Sequence, residues 1–173
     1  MCILPLQAEK VTFDTRCSVD FPAGWKKSAN AQKGALVYRV SPVGDASFAI
    51  ARLSLPENAK ADLKATLGGM IDGIKKGMKV TNEAKLTAGV IDGIKKGMKV
   101  TNEAKLTEGV IDGKQALFVR VLAETEGHKM GFFLVAIDAG TRVFILQATL
   151  PSTASEKSRA DCMSVIQSFK EDR

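Results

Sequence analysis

An α+β domain, with one antiparallel β-sheet flanked by helices, is the fold class that the sequence predicts. Three observations carry it. The last third holds three alternating apolar runs separated by short turns: "KQALFVRVLAE", "KMGFFLVAID" and "TRVFILQATL". Two Ser/Thr-x-x-Glu boxes, Ser54–Glu57 and Thr153–Glu156, each precede a stretch whose apolar residues recur at helical spacing. The resulting order, β-β-β-α-β-β-β-β-α, joins most strands as neighbouring hairpins, which builds an antiparallel sheet with helices as its cover.

Along the chain, "MCILPLQAEK" turns from apolar to polar and reads as a leader remnant or disordered N-terminus over residues 1–10, with the domain spanning 11–173. Two export readings stand for it: the tail of a secretory signal, or Cys2 as the acylated cysteine of a lipoprotein. "RCSVDF" (Arg16–Phe21) alternates as a strand and ends in "PAGW", a turn followed by the large apolar anchor Trp25. Ala35–Ser41 and Ala46–Ser54 form a hairpin about "PVGD". The first capping box then opens an amphipathic helix over Glu57–Met78, with Leu63, Leu67, Met70, Ile71, Ile74 and Met78 on one face and its lysines on the other. Val80 and Thr81 favour a strand in "KVTNEAKLT". Lys114–Glu124, Lys129–Asp138 and Thr141–Leu150 make a meander, which Pro151 stops. The second box opens a helix to about Phe169, with Ala160, Met163, Val165, Ile166 and Phe169 on or near its buried side.

Composition narrows the function classes. The chain has 173 residues, 45% hydrophobic and 25% charged, ordinary values for one globular domain with a full core. No apolar run is long enough for a membrane span. The net charge of +6 owes +2 to the stretch 71–90, where Lys75, Lys76, Lys79 and Lys85 outnumber Asp72 and Glu83. A solvated basic surface explains such a balance better than nucleic-acid binding. Cys2, Cys17 and Cys162 match no metal spacing. Cys17 and Cys162 are either bridged or, the preferred reading, two small buried hydrophobes.

Catalytic constellations are sparse. His128 is the only histidine, in "EGHK", where a turn explains it better than acid–base work. Glu124 and Glu126 flank that turn as a solvated pair, and Asp138 and Asp161 have no partner visible in the sequence. "GGMIDGIKKG" (Gly68–Gly77) has the glycines of a phosphate loop, but Ile74 follows Gly73 where lysine is needed, and the stretch lies inside a helix. No catalytic, cofactor-binding or metal residue is therefore assigned, and no cofactor is expected.

"FPAGWKK" (Phe21–Lys27), "ADLKATLGGMIDGIKK", "VTNEAKLTEG" (Val100–Gly109), "EGHKMGFFLVAID" and "FILQATLP" stand in an order that resembles the PsbP-like superfamily, most closely its bacterial DcrB-like members. The resemblance covers nearly the whole chain and implies an α/β/α sandwich on an antiparallel sheet. It also implies an extracytoplasmic, often lipid-anchored protein. Roles in that superfamily are binding roles: an extrinsic subunit of the photosynthetic oxygen-evolving complex, a Ran-binding protein, and chaperones for secreted effectors. It supplies no catalytic residue set.

One feature departs from that pattern. Residues 71–90 and 91–110 are the same twenty residues but for Ala88 against Glu108. Two copies do not make a solenoid. The near-identical "GMIDG", "GVIDG" and "GVIDG" at their borders (Gly69, Gly89 and Gly109) mark an insertion by slippage, crossover or design. Each copy is half a helix plus a strand, and the sheet has one slot for that strand. The second copy is expected to take it, because the Asp112–Gly113 turn joins it to the next strand. Residues 79–99 are then surplus, with Val90, Ile91, Ile94 and Met98 as an apolar stripe needing cover. A loop, a longer helix, or cover by a second chain in a swapped homodimer would each answer that need, and helix extension with dimerisation is preferred. Register exchange between the copies is a further expectation.

The expected function is a non-enzymatic binding or accessory domain of the bacterial cell envelope, acting on another protein through a sheet edge or through the helix face bearing Lys75, Lys76, Lys95 and Lys96. Alternatives are an effector chaperone or an anionic-surface binder. Membrane attachment is expected only through a lipid on Cys2.

Overall fold

The computed structural model describes residues 8–28, 35–76, 99–103, 106–125 and 128–172. Its elements are β1 (Glu9–Phe13), β2 (Cys17–Phe21), β3 (Lys26–Lys27), β4 (Val37–Val40), β5 (Ser47–Ser54), α1 (Leu63–Lys76), β6 (Lys99–Glu103), β7 (Thr107–Ile111), β8 (Lys114–Thr125), β9 (His128–Asp138), β10 (Arg142–Pro151), α2 (Glu156–Gln167) and β11 (Lys170–Glu171). The main sheet runs β3-β4-β5-β10-β9-β8, and β6 and β7 share the far edge of β8. β7 pairs with the first part of β8 and β6 with its last part, both antiparallel. A second, three-stranded sheet runs β1-β2-β11. The α+β class with an antiparallel sheet and two helices stands as read from the sequence.

Period-two alternation along the long strands builds two cores. Phe48, Ile50, Val135, Ile137, Phe144 and Leu146 face one side, where α2 and the small sheet cover them. Leu117, Val119, Val121, Phe132, Leu134 and Ile145 face the other, where Leu67, Ile71 and Ile74 of α1 close over them. Each such large side chain contributes about 1.5–3 kcal/mol by leaving water. Phe132 and Phe133, adjacent in sequence, therefore pack into opposite cores.

The "PAGW" turn is structural. Trp25 N–H donates to the Pro22 carbonyl at 3.4 Å. Gly24 has φ +88°, and a Cβ there would lie 2.9 Å from Pro42 Cγ. Trp25 is 3% exposed, stacks obliquely on Phe21 at 5.7 Å, and donates its indole N–H to Asp161 on α2 at 3.4 Å. At the other end of the small sheet, Arg142 bridges Asp14 at 2.8 Å and also binds Glu171, which in turn accepts from Lys114 at 3.0 Å. Arg52 joins the same Asp14. That network locks β1, β5, β8, β10 and β11 at one corner.

Several expected boundaries shift. The Ser54–Glu57 box caps no helix: Ser54 ends β5 opposite Arg142, and a Pro56–Ala59 turn follows, with Asn58 at φ 65°. Asp62 caps α1 instead, its Oδ1 accepting from the Ala65 N–H at 2.8 Å. α2 likewise starts from Ser155, whose side chain accepts from the Ser158 N–H, and not from Thr153. Ala160, expected on the buried side, is exposed; Ser158 and Cys162 occupy that side with Val165 and Ile166. Glu9 and Lys10, placed in the leader by the sequence, belong to β1. The strand expected from the second copy is two shorter ones, β6 and β7, and β6 itself carries an irregularity between Val100 and Asn102. The second repeat copy nonetheless fills the slot beside β8. It enters β8 through Asp112 (φ 50°) and Gly113 (φ 73°), the double left-handed geometry of a two-residue hairpin turn. Cys17 and Cys162 are free thiols, both buried.

Candidate protein-interaction surface

A concavity among the described residues follows from where α1 begins. Because the helix starts only at Leu63, Gln115 of β8 and the adjoining β7 residues Glu108 and Val110 are left exposed on that face. The result is a groove of about 880 Å³ between residues 60–64 and the β7–β8 hairpin. Register sets its wall: Glu108 lies opposite Leu117, and Val110 lies opposite Gln115. Val110 is 67% exposed, high for a large apolar side chain. Lys60 and Lys64 line the other side, facing a wall that holds Glu108. A second hollow of about 690 Å³ shares Lys64, Glu108 and Leu117 and carries the groove on toward Leu106. The outer strand here is β7, at the edge of the main sheet among the described residues. Such an edge accepts an added strand through its backbone, while pockets beside it select side chains.

Groups expected to carry chemistry sit in structural roles. Asp138 Oδ1 accepts from the Gly140 N–H at 2.9 Å and shapes the β9–β10 turn. Asp161 accepts from Trp25 and from Lys157. His128 is exposed at the start of β9, paired with Thr125. Burial pushes the Cys17 thiol up to about 11, with Glu171 adding to it, and the Cys162 thiol up to about 12, with Asp161 adding to it. Both stay protonated near neutrality, which suits buried packing and not nucleophilic attack. Among the described residues no cluster of three or more His, Cys, Asp or Glu is placed to hold a metal ion.

The expected binding residues are only partly brought into view. Lys76 is exposed at the C-terminal end of α1, and Lys75 precedes it in the same helix. They lie at the end of α1 remote from the groove. Lys95 and Lys96, the stripe Val90, Ile91, Ile94 and Met98, and Cys2 lie outside the described residues. The groove residues Lys60, Lys64, Glu108 and Val110 were not picked out by sequence reasoning. The available signal was Val110 itself, an apolar residue next to a tight turn whose neighbour Ile111 already supplies the buried contact.

No protein-family model matches the chain, and no curated protein matches it in sequence. Solved structures do match. Cyanobacterial PsbP (CyanoP) from Synechocystis superposes with a TM-score of 0.63 at 9% identity, covering 99% of this chain and 98% of that one. The fold is PsbP/Mog1-like. The Saccharomyces cerevisiae Ran-binding protein Mog1p shares it, with a TM-score of 0.54, 13% identity, and 96% of each chain covered. So does LpqN, involved in cell envelope biogenesis of Mycobacterium tuberculosis, with a TM-score of 0.52, 12% identity, and 96% and 91% covered. The chain spans half the length of a longer Bacteroides thetaiotaomicron structure that it also matches. At these identities the PsbP/Mog1-like likeness is one of fold, and the site has to speak for function.

Proposed function

We propose that this chain is a non-enzymatic binding domain that docks an extended segment of a protein partner along the groove between the start of α1 and β7. The observation that carries the reading is Val110, an exposed apolar side chain at a sheet edge, in a groove walled by Lys60, Lys64 and Glu108. Backbone pairing to β7 would supply affinity and Val110 an apolar anchor. The two lysines favour an acidic residue on the partner. A binding role accords with the Ran-binding protein among its fold neighbours, and a place in the cell envelope accords with LpqN. The DcrB-like resemblance and a lipid on Cys2 belong to the same reading, with a secreted effector as one kind of partner. Its test is Lys60→Glu/Lys64→Glu in the native host: partner association is lost while the thermal transition is kept. Lys75→Glu/Lys76→Glu is the comparison. Loss of association there, with the groove variant unaffected, would assign binding to the lysine-bearing end of α1 instead.

A further inference from the structure

We propose that the two repeat copies compete for the single slot beside β8, so that the chain exchanges between two strand registers. An unduplicated chain would join α1 to its edge strand through two residues, Gly-Met, and that strand to β8 through two more, Asp-Gly. The observed register keeps the second junction, Asp112–Gly113, and lengthens the first to residues 77–98. The alternative seats 79–83 and 87–91 in the slot, keeps Gly77–Met78, and lengthens the second junction to residues 92–113. Each register thus lengthens one junction from two residues to twenty-two. Closure cost depends on loop length, so this term is the same in both.

Side chains discriminate little between the copies. The only difference puts Ala88 at the position of Glu108, which is exposed, so no buried contact changes. Gly109 is required, since a Cβ there would sit 2.8 Å from Phe118 Cε2, and the first copy offers Gly89 at the same place. The observed register is favoured by the Asp112–Gly113 turn and by the Glu171 N–H donating to Asp112 Oδ2 at 2.9 Å. One turn and one hydrogen bond separate states that are otherwise alike, because register is set by pattern and turn, and here the pattern is doubled. Exchange would also replace the acidic Glu108 of the groove by alanine. It rests on the junctions, however, and stands whether or not the groove binds a partner.

Disulfide trapping tests it, in a Cys2→Ser background, with Val110→Cys/Gln115→Cys for the observed register and Val90→Cys/Gln115→Cys for the alternative. Both pairs should close within one chain, the first in higher yield. Adding Gly109→Ala should raise the Val90 yield several-fold, because the second copy no longer fits over Phe118. A Val90 pair that stays reduced even with Gly109→Ala, or that bridges only between chains, would overturn intramolecular exchange. Should neither pair close, β8 amide resonances decide: two sets in the full chain and one in a chain lacking 77–96 are expected, and one set in both would contradict the proposal.

Discussion

Asp45 accepts a hydrogen bond from the Ser158 hydroxyl at 2.7 Å, tying the turn before β5 to the first turn of α2 across 113 positions of sequence. The same carboxylate accepts from Ser41 at 2.8 Å and from the Ser155 N–H at 3.2 Å. Burial alone would raise its pKa, but the donors Ser158, Ser41 and Ser155 outweigh it and hold the carboxyl below its usual value.

From this the acid behaviour follows. A lowered folded pKa contributes stability that is present above the ordinary carboxylate pKa of about 4 and is lost as pH falls through the folded value. Asp45→Asn should cost about 1–3 kcal/mol at neutral pH, the range for leaving buried donors poorly matched. Urea unfolding at pH 7 and pH 3 should show the difference from the parent shrinking at the lower pH.

Trp25 couples the first turn to α2. Trp25→Phe keeps the ring near Phe21 but deletes the indole donor to Asp161, and should cost about 1 kcal/mol plus a small void. Trp25→Ala should cost about 3–5 kcal/mol. Calorimetric transitions of both variants check the order.

The fold was largely legible because its signals are local. Alternation in "KMGFFLVAID" sets β9 and the two faces of its side chains without any tertiary knowledge. The helix starts were not, because Ser54-x-x-Glu57 and Asp62 compete as caps and only pairing of Ser54 with Arg142 removes the first from contention. β1 pairs locally with β2 but begins inside the stretch set aside as leader. β3 and β11 are two residues each and owe their existence to pairing with β4 and β2, which leaves little periodic trace. The groove stayed hidden for the same reason: it is the gap left by a helix that starts six residues later than its sequence box suggests.

The glycines of the repeat report which copy is used. Gly89→Ala should leave stability within about 0.5 kcal/mol, because it is Gly109 that lies over Phe118. Gly109→Ala alone should cost about 1 kcal/mol, limited by recourse to the first copy, whereas overpacking without that recourse costs about 1–3 kcal/mol. The double variant should therefore lose more than the sum of the two, a departure from additivity that denaturant titration of the four chains would measure.

The buried thiols give an independent check of packing. With folded values raised to about 11 and 12, Cys17 and Cys162 should resist a thiol reagent at pH 8 until the chain unfolds. Their contribution to stability is fully present below the unfolded thiol value near 8.5 and is lost as pH rises through the folded values. Reagent kinetics in a Cys2→Ser background should show neither thiol reacting in the native protein and both reacting after denaturant is added.

A partner bound in the groove beside β7 would lie against Val110. A photoreactive side chain at position 110, introduced in the native host, tests this placement most directly. The expected result is a discrete adduct at position 110 that disappears with Lys60→Glu/Lys64→Glu and is absent when the probe stands at Val43, an exposed apolar residue in the turn before β5. An adduct at Val43 with none at Val110, or one at Val110 unaffected by reversing both lysines, would contradict it.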